Sequence, residues 1–187
     1  VFRRYRSRAG LPNQPLLIST SSIALQGAII HDYLPFLSKV MMADGMLDSP
    51  LRAVLRKGKS HYVCDARLMK RLQTANLDRK NPLAKAALLS MRDHLDLDMA
   101  PHLSGYDRER ICVPPTCDCG KTECRYLCYL DVCASERYAI QVCNHNLLLA
   151  DAIHRGSGKR SILPDSCAIV MDEAHKLTEI ARQMFGI

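Results

Sequence analysis

Residues 111–133 read ICVPPTCDCGKTECRYLCYLDVC and contain six of the nine cysteines of the chain. A seventh, Cys64, lies far upstream in residues 57–68, KGKSHYVCDARL. Thiols at this density indicate disulfides, a zinc site or an iron–sulfur cluster. The choice among the three decides how this part of the chain is held together.

The cysteine pattern favours an iron–sulfur cluster. Disulfides need an oxidising compartment, whereas residues 1–10, VFRRYRSRAG, are basic and lack the apolar segment of a signal peptide. The number of cysteines is odd, and 187 residues can bury a core without disulfides. Zinc modules usually pair their ligands in two short Cys-x-x-Cys-type motifs, which this spacing does not provide. Irregularly spaced thiolates that include one from a distant segment suit an iron–sulfur cluster better.

The composition is basic, with 26 Lys and Arg against 19 Asp and Glu. A positive excess favours a polyanionic partner such as nucleic acid, although a soluble surface with a positive bias explains it as well. No apolar run approaches the ~20 residues of a membrane span. We therefore expect a cytoplasmic protein without a membrane partner.

Three short apolar runs predict buried parallel strands. They are LLIST at residues 16–20, YAIQVC at 138–143 and CAIVM at 167–171, and turn-forming residues bound them. Helical patterns lie around them: Ser21 or Ser22 can cap one helix, and Gly186 can end another that covers residues 178–185. The alternation predicts an α/β fold.

Asp172 and Glu173 directly follow the third apolar run, in the sequence DEAH. Ligands of open parallel sheets bind beyond the carboxyl ends of the strands. One acid there can hold Mg²⁺ on a nucleotide, and its neighbour can deprotonate the attacking water. Alternatively, the two acids only begin a helix, where negative charge is favourable. A strand that runs into DEAH is more specific than either acid alone, so we favour the catalytic interpretation.

Polar and basic side chains elsewhere are candidate nucleic-acid contacts. Ser19, Thr20 and Ser21 end the first apolar run and can hold a phosphate, although simple helix capping explains that segment more readily. Lys57 and Lys59 precede Cys64 and can follow a phosphate backbone, or they can belong to a solvated face. The residues alone leave both pairs of alternatives open.

Four passages resemble, in the same order, those of the DinG/XPD-like superfamily-two DNA helicases that carry an iron–sulfur domain. Residues 16–26, LLISTSSIALQ, resemble motif Ia, which contacts single-stranded DNA. Residues 57–64 resemble the segment with the first cluster cysteine, and residues 112–126 resemble the run with the other three. CNHNLLLA at residues 143–150, followed by IVMDEAH, resembles the return strand and the Walker B box. The likeness is greatest to the DinG-type bacterial proteins.

The resemblance implies a fold and a division of the chain. It implies a partial RecA-like parallel sheet of the P-loop NTPase class, with an inserted, mainly helical iron–sulfur domain. Residues 1–50 would begin the first helicase domain, residues 51–135 would form the insert, and residues 136–187 would return to the helicase domain. We expect the insert to have little core of its own, so that the cluster determines whether it folds.

The resemblance also implies an activity: 5′-to-3′ unwinding of single-stranded or forked DNA substrates, driven by ATP. In this role Asp172 binds the Mg²⁺ of Mg-ATP, Glu173 activates water, and His175 couples hydrolysis to DNA binding. The candidate DNA contacts are the hydroxyls of motif Ia and the two lysines, which are Ser19, Thr20, Ser21, Lys57 and Lys59.

A [4Fe–4S] cluster is the implied metal centre. Its candidate ligands are Cys64, Cys112, Cys117 and Cys124, because Cys112-x4-Cys117 followed by Cys124 fits the family spacing best. Cys119 departs from that spacing and is an alternate ligand in place of Cys112 or Cys117.

The phosphate-binding motif GxxxxGK[ST] of such helicases does not occur in the sequence. In the family it lies just upstream of motif Ia. We therefore expect a monomeric fragment of a larger helicase that hydrolyses no ATP alone, because nothing cradles the phosphates. The alternatives are a nonenzymatic cluster- or zinc-containing nucleic-acid-binding module with a relic DEAH box, and a redox sensor that acts through the cluster.

Overall fold

The computed structural model describes residues 14–74, 82–117, 124–135 and 137–186. Backbone contacts divide them into two compact units. Unit 1 contains the described residues up to Lys57 and from Cys133 onward, and unit 2 is Gly58–Val132. These limits lie close to the predicted boundaries 51 and 135, while the assignment of the units to a helicase domain and a cluster domain stays a prediction.

Within the described residues of unit 1, four parallel strands form one sheet in the order β2-β3-β1-β4. The strands are β1 (Leu16–Ser19), β2 (Ala53–Leu55), β3 (Ile140–Cys143) and β4 (Ala168–Met171). The predicted α/β class is confirmed, and the sheet is consistent with a partial RecA-like fold. Three of the strands lie in the predicted apolar runs, whereas β2 was not predicted.

Helices connect and follow the strands. Their bounds in chain order are α1 (Ile23–Ala28), α2 (Leu34–Ala43), α3 (Asp65–Thr74), α4 (Pro82–Ser90), α5 (Gly105–Ile111), α6 (Arg125–Ala134), α7 (His145–Gly156) and α8 (His175–Phe185). A π-helical turn, Ile29–Tyr33, joins α1 to α2, and 3₁₀ turns cover Lys59–His61 and Leu97–Met99. In the described residues, no helix is long and apolar enough to cross a membrane.

The strands of unit 1 differ sharply in burial. All four residues of β3 are buried, as expected for a central parallel strand. All four residues of β4 are exposed, although its sequence AIVM is apolar. Among the described strands, β4 therefore forms an edge that leaves apolar side chains open on both faces.

Unit 2 has its own apolar core. The larger cluster consists of Val63, Leu68, Leu88, Met91, Leu97, Ala100, Leu103 and Ile111. A second cluster places Tyr62, Cys64 and Val113 against Tyr126 and Tyr129 of α6. The expectation that the insert has little core is therefore wrong, because helices α3 to α5 supply apolar faces that bury one another.

Candidate active site

The carboxyl ends of β1 and β4 lie side by side. Their parallel register pairs Ser19 with Met171, so the residues that follow each strand are neighbours. The amide of Asp172 donates to the carbonyl of Ser19 at 2.9 Å. The sheet thereby brings the predicted motif Ia hydroxyls and the DEAH acids together at the carboxyl ends of the strands, although 152 residues separate them in sequence.

Two hydroxyl–carboxylate hydrogen bonds join these strand ends. Thr20 Oγ1 donates to Asp172 Oδ2 at 3.1 Å. Ser21 Oγ donates to Glu173 Oε2. Thr20 and Ser21, which follow β1, thus hold Asp172 and Glu173, which follow β4. The two hydrogen bonds orient both carboxylates.

Glu173 has an unusual backbone and several cationic neighbours. Its φ is +49°, the only positive φ of a non-glycine residue among the described residues. Such a conformation costs ~1–3 kcal/mol, and residues that adopt it cluster at active sites, ligand clamps and switch regions. Lys176 Nζ lies 3.0 Å from both carboxylate oxygens. The hydrogen bond from Ser21, followed by that from Lys176, lowers the pKa of Glu173, so the group is ionised at neutral pH.

His175 completes the predicted catalytic set. It is the first residue of α8 and is exposed, and its positive charge also contributes to the lowered pKa of Glu173. Asp172 and Glu173 supply the oxygen ligands that Mg²⁺ prefers. The arrangement offers one carboxylate for a cation and a second carboxylate that can accept a proton, while the imidazole of His175 faces solvent beside them.

His145 belongs to the same sheet end, although sequence reasoning gave it no role. Its Nδ1 lies 2.7 Å from Ser19 Oγ, and the side chain is fully buried. Its Nε2 has no hydrogen-bond partner within the part of the chain that is described. The available signal was its position in Asn144-His145-Asn146, directly after a buried strand. Lys176 was missed as well, and its signal was the three-residue spacing from Glu173.

The predicted cluster cysteines lie on adjoining segments of unit 2. The amide of Cys64 donates to the carbonyl of Ile111 at 2.8 Å, next to an antiparallel bridge between Val63 and Cys112. Arg125, which follows Cys124, pairs with Asp65, which follows Cys64, at 2.5 Å. Sequence neighbours of three candidate ligands are thus held together.

The thiols themselves do not form a ligand cage in the described residues. No group of three or more His, Cys, Asp or Glu there could hold a metal ion. Cys64 packs in the cluster of Tyr62 and Val113, whereas Cys112 packs against the larger core cluster. Cys117 is exposed, and Cys119 lies outside the described residues. The donor type suits an iron–sulfur cluster, but the described thiols are not gathered into a ligand set in this structure.

The candidate DNA contacts are in unlike surroundings. Ser19 and Thr20 are fully buried, and Ser21 is half-buried. Lys57 is half-buried in unit 1. Lys59, in unit 2, is exposed and donates to the carbonyl of Pro115. Of these three hydroxyl-bearing residues, Ser21 alone is partly exposed to solvent.

Known proteins named as helicases are similar to the chain over nearly its whole length. The ATP-dependent DNA helicase YoaA of Escherichia coli (strain K12) is 29% identical over 191 residues, which cover 97% of the chain. The YoaA protein of Haemophilus influenzae is 27% identical and the DinG helicase of Photobacterium profundum 26% identical, each over 91% of the chain. The predicted resemblance to DinG-type DNA helicases is confirmed.

No protein-family model matches the chain. The chain spans 26–29% of the length of these DinG-type and YoaA relatives. The resemblance therefore concerns about a quarter of each helicase.

Proposed function

We propose that the chain is the segment from motif Ia to the DEAH box of an ATP-dependent DNA helicase that unwinds duplex DNA in the 5′-to-3′ direction. The observation that carries the proposal is the meeting of Thr20 and Ser21 with Asp172 and Glu173 at one sheet edge. The helicase names of the relatives support it.

The proposed chemistry divides the acids between two tasks. Asp172, whose carboxylate Thr20 orients, binds the Mg²⁺ that accompanies ATP. Glu173 is ionised, so it can take the proton of the water that attacks the γ-phosphate. His175 lies at the start of α8 and couples this site to DNA. The phosphate loop belongs to another part of the parent protein, so the 187-residue chain alone hydrolyses no ATP.

DNA binding and a metal centre complete the proposal. Single-stranded or forked DNA contacts the motif Ia segment and the lysines Lys57 and Lys59. A [4Fe–4S] cluster would be held by Cys64, Cys112, Cys117 and Cys124, with Cys119 as the alternate ligand, once the four thiols are brought together. Its iron–thiolate bonds would then cross-link the segments of unit 2. The hydrogen bonds that join the segments of Cys64, Cys112 and Cys124 support this assignment.

The test measures ATP hydrolysis by the full-length parent protein, with and without single-stranded DNA. We expect DNA-stimulated hydrolysis that Glu173→Gln lowers by ~100-fold or more, because general base catalysis contributes about that factor. Glu179→Gln is the matched control, since Glu179 is an exposed acid on α8. A full-length protein that binds DNA but hydrolyses no ATP would identify a nonenzymatic binding module instead.

A further inference from the structure

Three successive residues with hydroxyl groups lie at the carboxyl end of β1: Ser19 is its last residue, and Thr20 and Ser21 follow it. Their hydroxyls have different partners. Ser19 pairs with buried His145, and Thr20 donates to Asp172. Both side chains are fully buried, so neither is available to a ligand without rearrangement. Ser21 is half-buried and donates to Glu173. Ser21 is therefore the hydroxyl that both an active-site acid and a molecule in solvent can reach.

Glu173 is held from two sides in this structure. Ser21 donates to Oε2, and Lys176 lies 3.0 Å from both oxygens. A carboxylate whose lone pairs point at these donors, and whose pKa they lower, is a poor acceptor for a proton from water. The left-handed backbone at Glu173 indicates that the surrounding contacts hold the residue in a conformation it would not otherwise favour.

We propose that Ser21 is a latch. Its hydroxyl restrains Glu173 in the absence of DNA, and it releases Glu173 when a DNA phosphate oxygen accepts the hydrogen bond instead. This inference rests on the proposed helicase function. A serine hydroxyl has one proton to donate, so it cannot serve Glu173 and a phosphate oxygen at the same time. A bound phosphate would also attract Lys176 and repel Glu173, which weakens the second restraint in the same direction. Ser21 is thus a positioning residue that acts through Glu173.

The experiment compares Ser21→Ala with wild type in the full-length protein, measuring kcat for ATP without DNA and at saturating single-stranded DNA. We expect the DNA-free kcat to rise by roughly tenfold, about the factor at the low end of what one hydrogen bond to a charged group contributes. The DNA-saturated kcat should change little, so the stimulation by DNA falls. Ser21→Thr keeps the hydroxyl and should restore the wild-type ratio. A purely structural defect would lower kcat rather than raise it.

Ser157→Ala is the matched control. Ser157 is an exposed serine just after α7 whose hydroxyl donates to the carbonyl of Ile153, and it lies outside motif Ia and the DEAH box. Its substitution should therefore leave the stimulation ratio at the wild-type value. If Ser21→Ala does not fold, Lys176→Gln takes its place, because Lys176 is a surface residue and its loss should also raise the DNA-free kcat.

Three outcomes overturn the latch. In the first outcome, the folded Ser21→Ala protein, or Lys176→Gln in its place, has a DNA-free kcat equal to or below that of wild type. The contacts then do not restrain Glu173. In the second outcome, the wild-type protein hydrolyses ATP but DNA does not stimulate the hydrolysis. The latch proposal then fails, while the proposed ATPase activity stands. A wild-type protein without any ATP hydrolysis removes the proposed function as well, so the two failures are distinguishable.

Discussion

At the residue scale, burial controls the chemistry of the thiols. Cys143 is fully buried in β3 and packs with Leu17 and Leu147, and this burial raises its pKa from 9.0 to about 11. Cys128, on α6, is exposed. Reactivity requires the thiolate, so the two cysteines should differ sharply although both are free.

We expect iodoacetamide at pH 8 to label Cys128 rapidly and Cys143 only after unfolding, as measured by peptide mass spectrometry. Buried Cys133 is the control on the same helix as Cys128.

The raised pKa of Cys143 also makes the stability of the fold depend on pH. The unfolded thiol loses its proton first, so the stability that the buried neutral thiol contributes is present below pH 9 and is lost as the pH rises toward 11. Fast native-state labelling of Cys143 would contradict this account.

At the scale of elements, local pattern predicted some parts of the fold and missed others. β1, β3 and β4 are apolar runs between turn residues, and Gly186 ends α8 with φ +70° as the sequence predicted. β2 has three residues, too few for a periodic signal, and it exists because it pairs with β3.

The candidate site divides in the same way. The apolar run followed by DEAH was enough to predict Asp172 and Glu173 as site residues, because a position just after a parallel strand can be recognised from the local sequence. Which hydroxyl faces which acid depends on the register of β1 against β4 across 152 residues, and no local pattern contains that register. Helix α6 was missed for a further reason: its cysteines suggested ligand spacing, while its apolar face is set by packing of Tyr126 and Tyr129 on Tyr62.

Arg56 ties β2 to the rest of unit 1. It is buried, and it donates to Gln141 Oε1 at 2.9 Å and to the carbonyl of Ile162 at 3.0 Å. Arg56→Met should lower the free energy of unfolding by about 2–3 kcal/mol, because one buried and one partly buried acceptor lose their donor. Urea denaturation of the 187-residue chain measures this change.

Arg52→Met is the matched control for that substitution. Arg52 is exposed in the segment just before β2, so its loss should change the free energy of unfolding by less than about 0.5 kcal/mol. Equal effects of the two substitutions would show that the hydrogen bonds of Arg56 contribute no net stability.

At the scale of the whole molecule, each unit carries its own core. The buried cluster of unit 2 includes Met91, Leu97 and Ile111, and none of these apolar contacts depends on a metal. Ion pairs add to it: Arg71 contacts Asp107 at 2.6 Å. A metal centre would therefore stabilise a unit that already has an apolar interior.

We expect unit 2 to keep part of its structure when metal is removed. In hydrogen exchange of anaerobically purified protein treated with a chelator, the amides of Leu68 and Leu103 should remain protected, because both side chains lie in the core. The amide of Val113, beside the candidate ligands, should exchange faster. Residues of β3 in unit 1 serve as the internal reference. Loss of protection throughout unit 2 would show that the metal, rather than the core, organises it.

The exposed strand β4 has a practical consequence for anyone who expresses this stretch alone. Among the described strands, β4 pairs with β1 alone, and the side chains of Ile169 and Val170 are exposed. Exposed apolar edge strands can pair with one another between molecules and cause aggregation. Solutions of the 187-residue chain should become turbid as the protein concentration rises. A charged lysine in place of Ile169 should keep the solution clear.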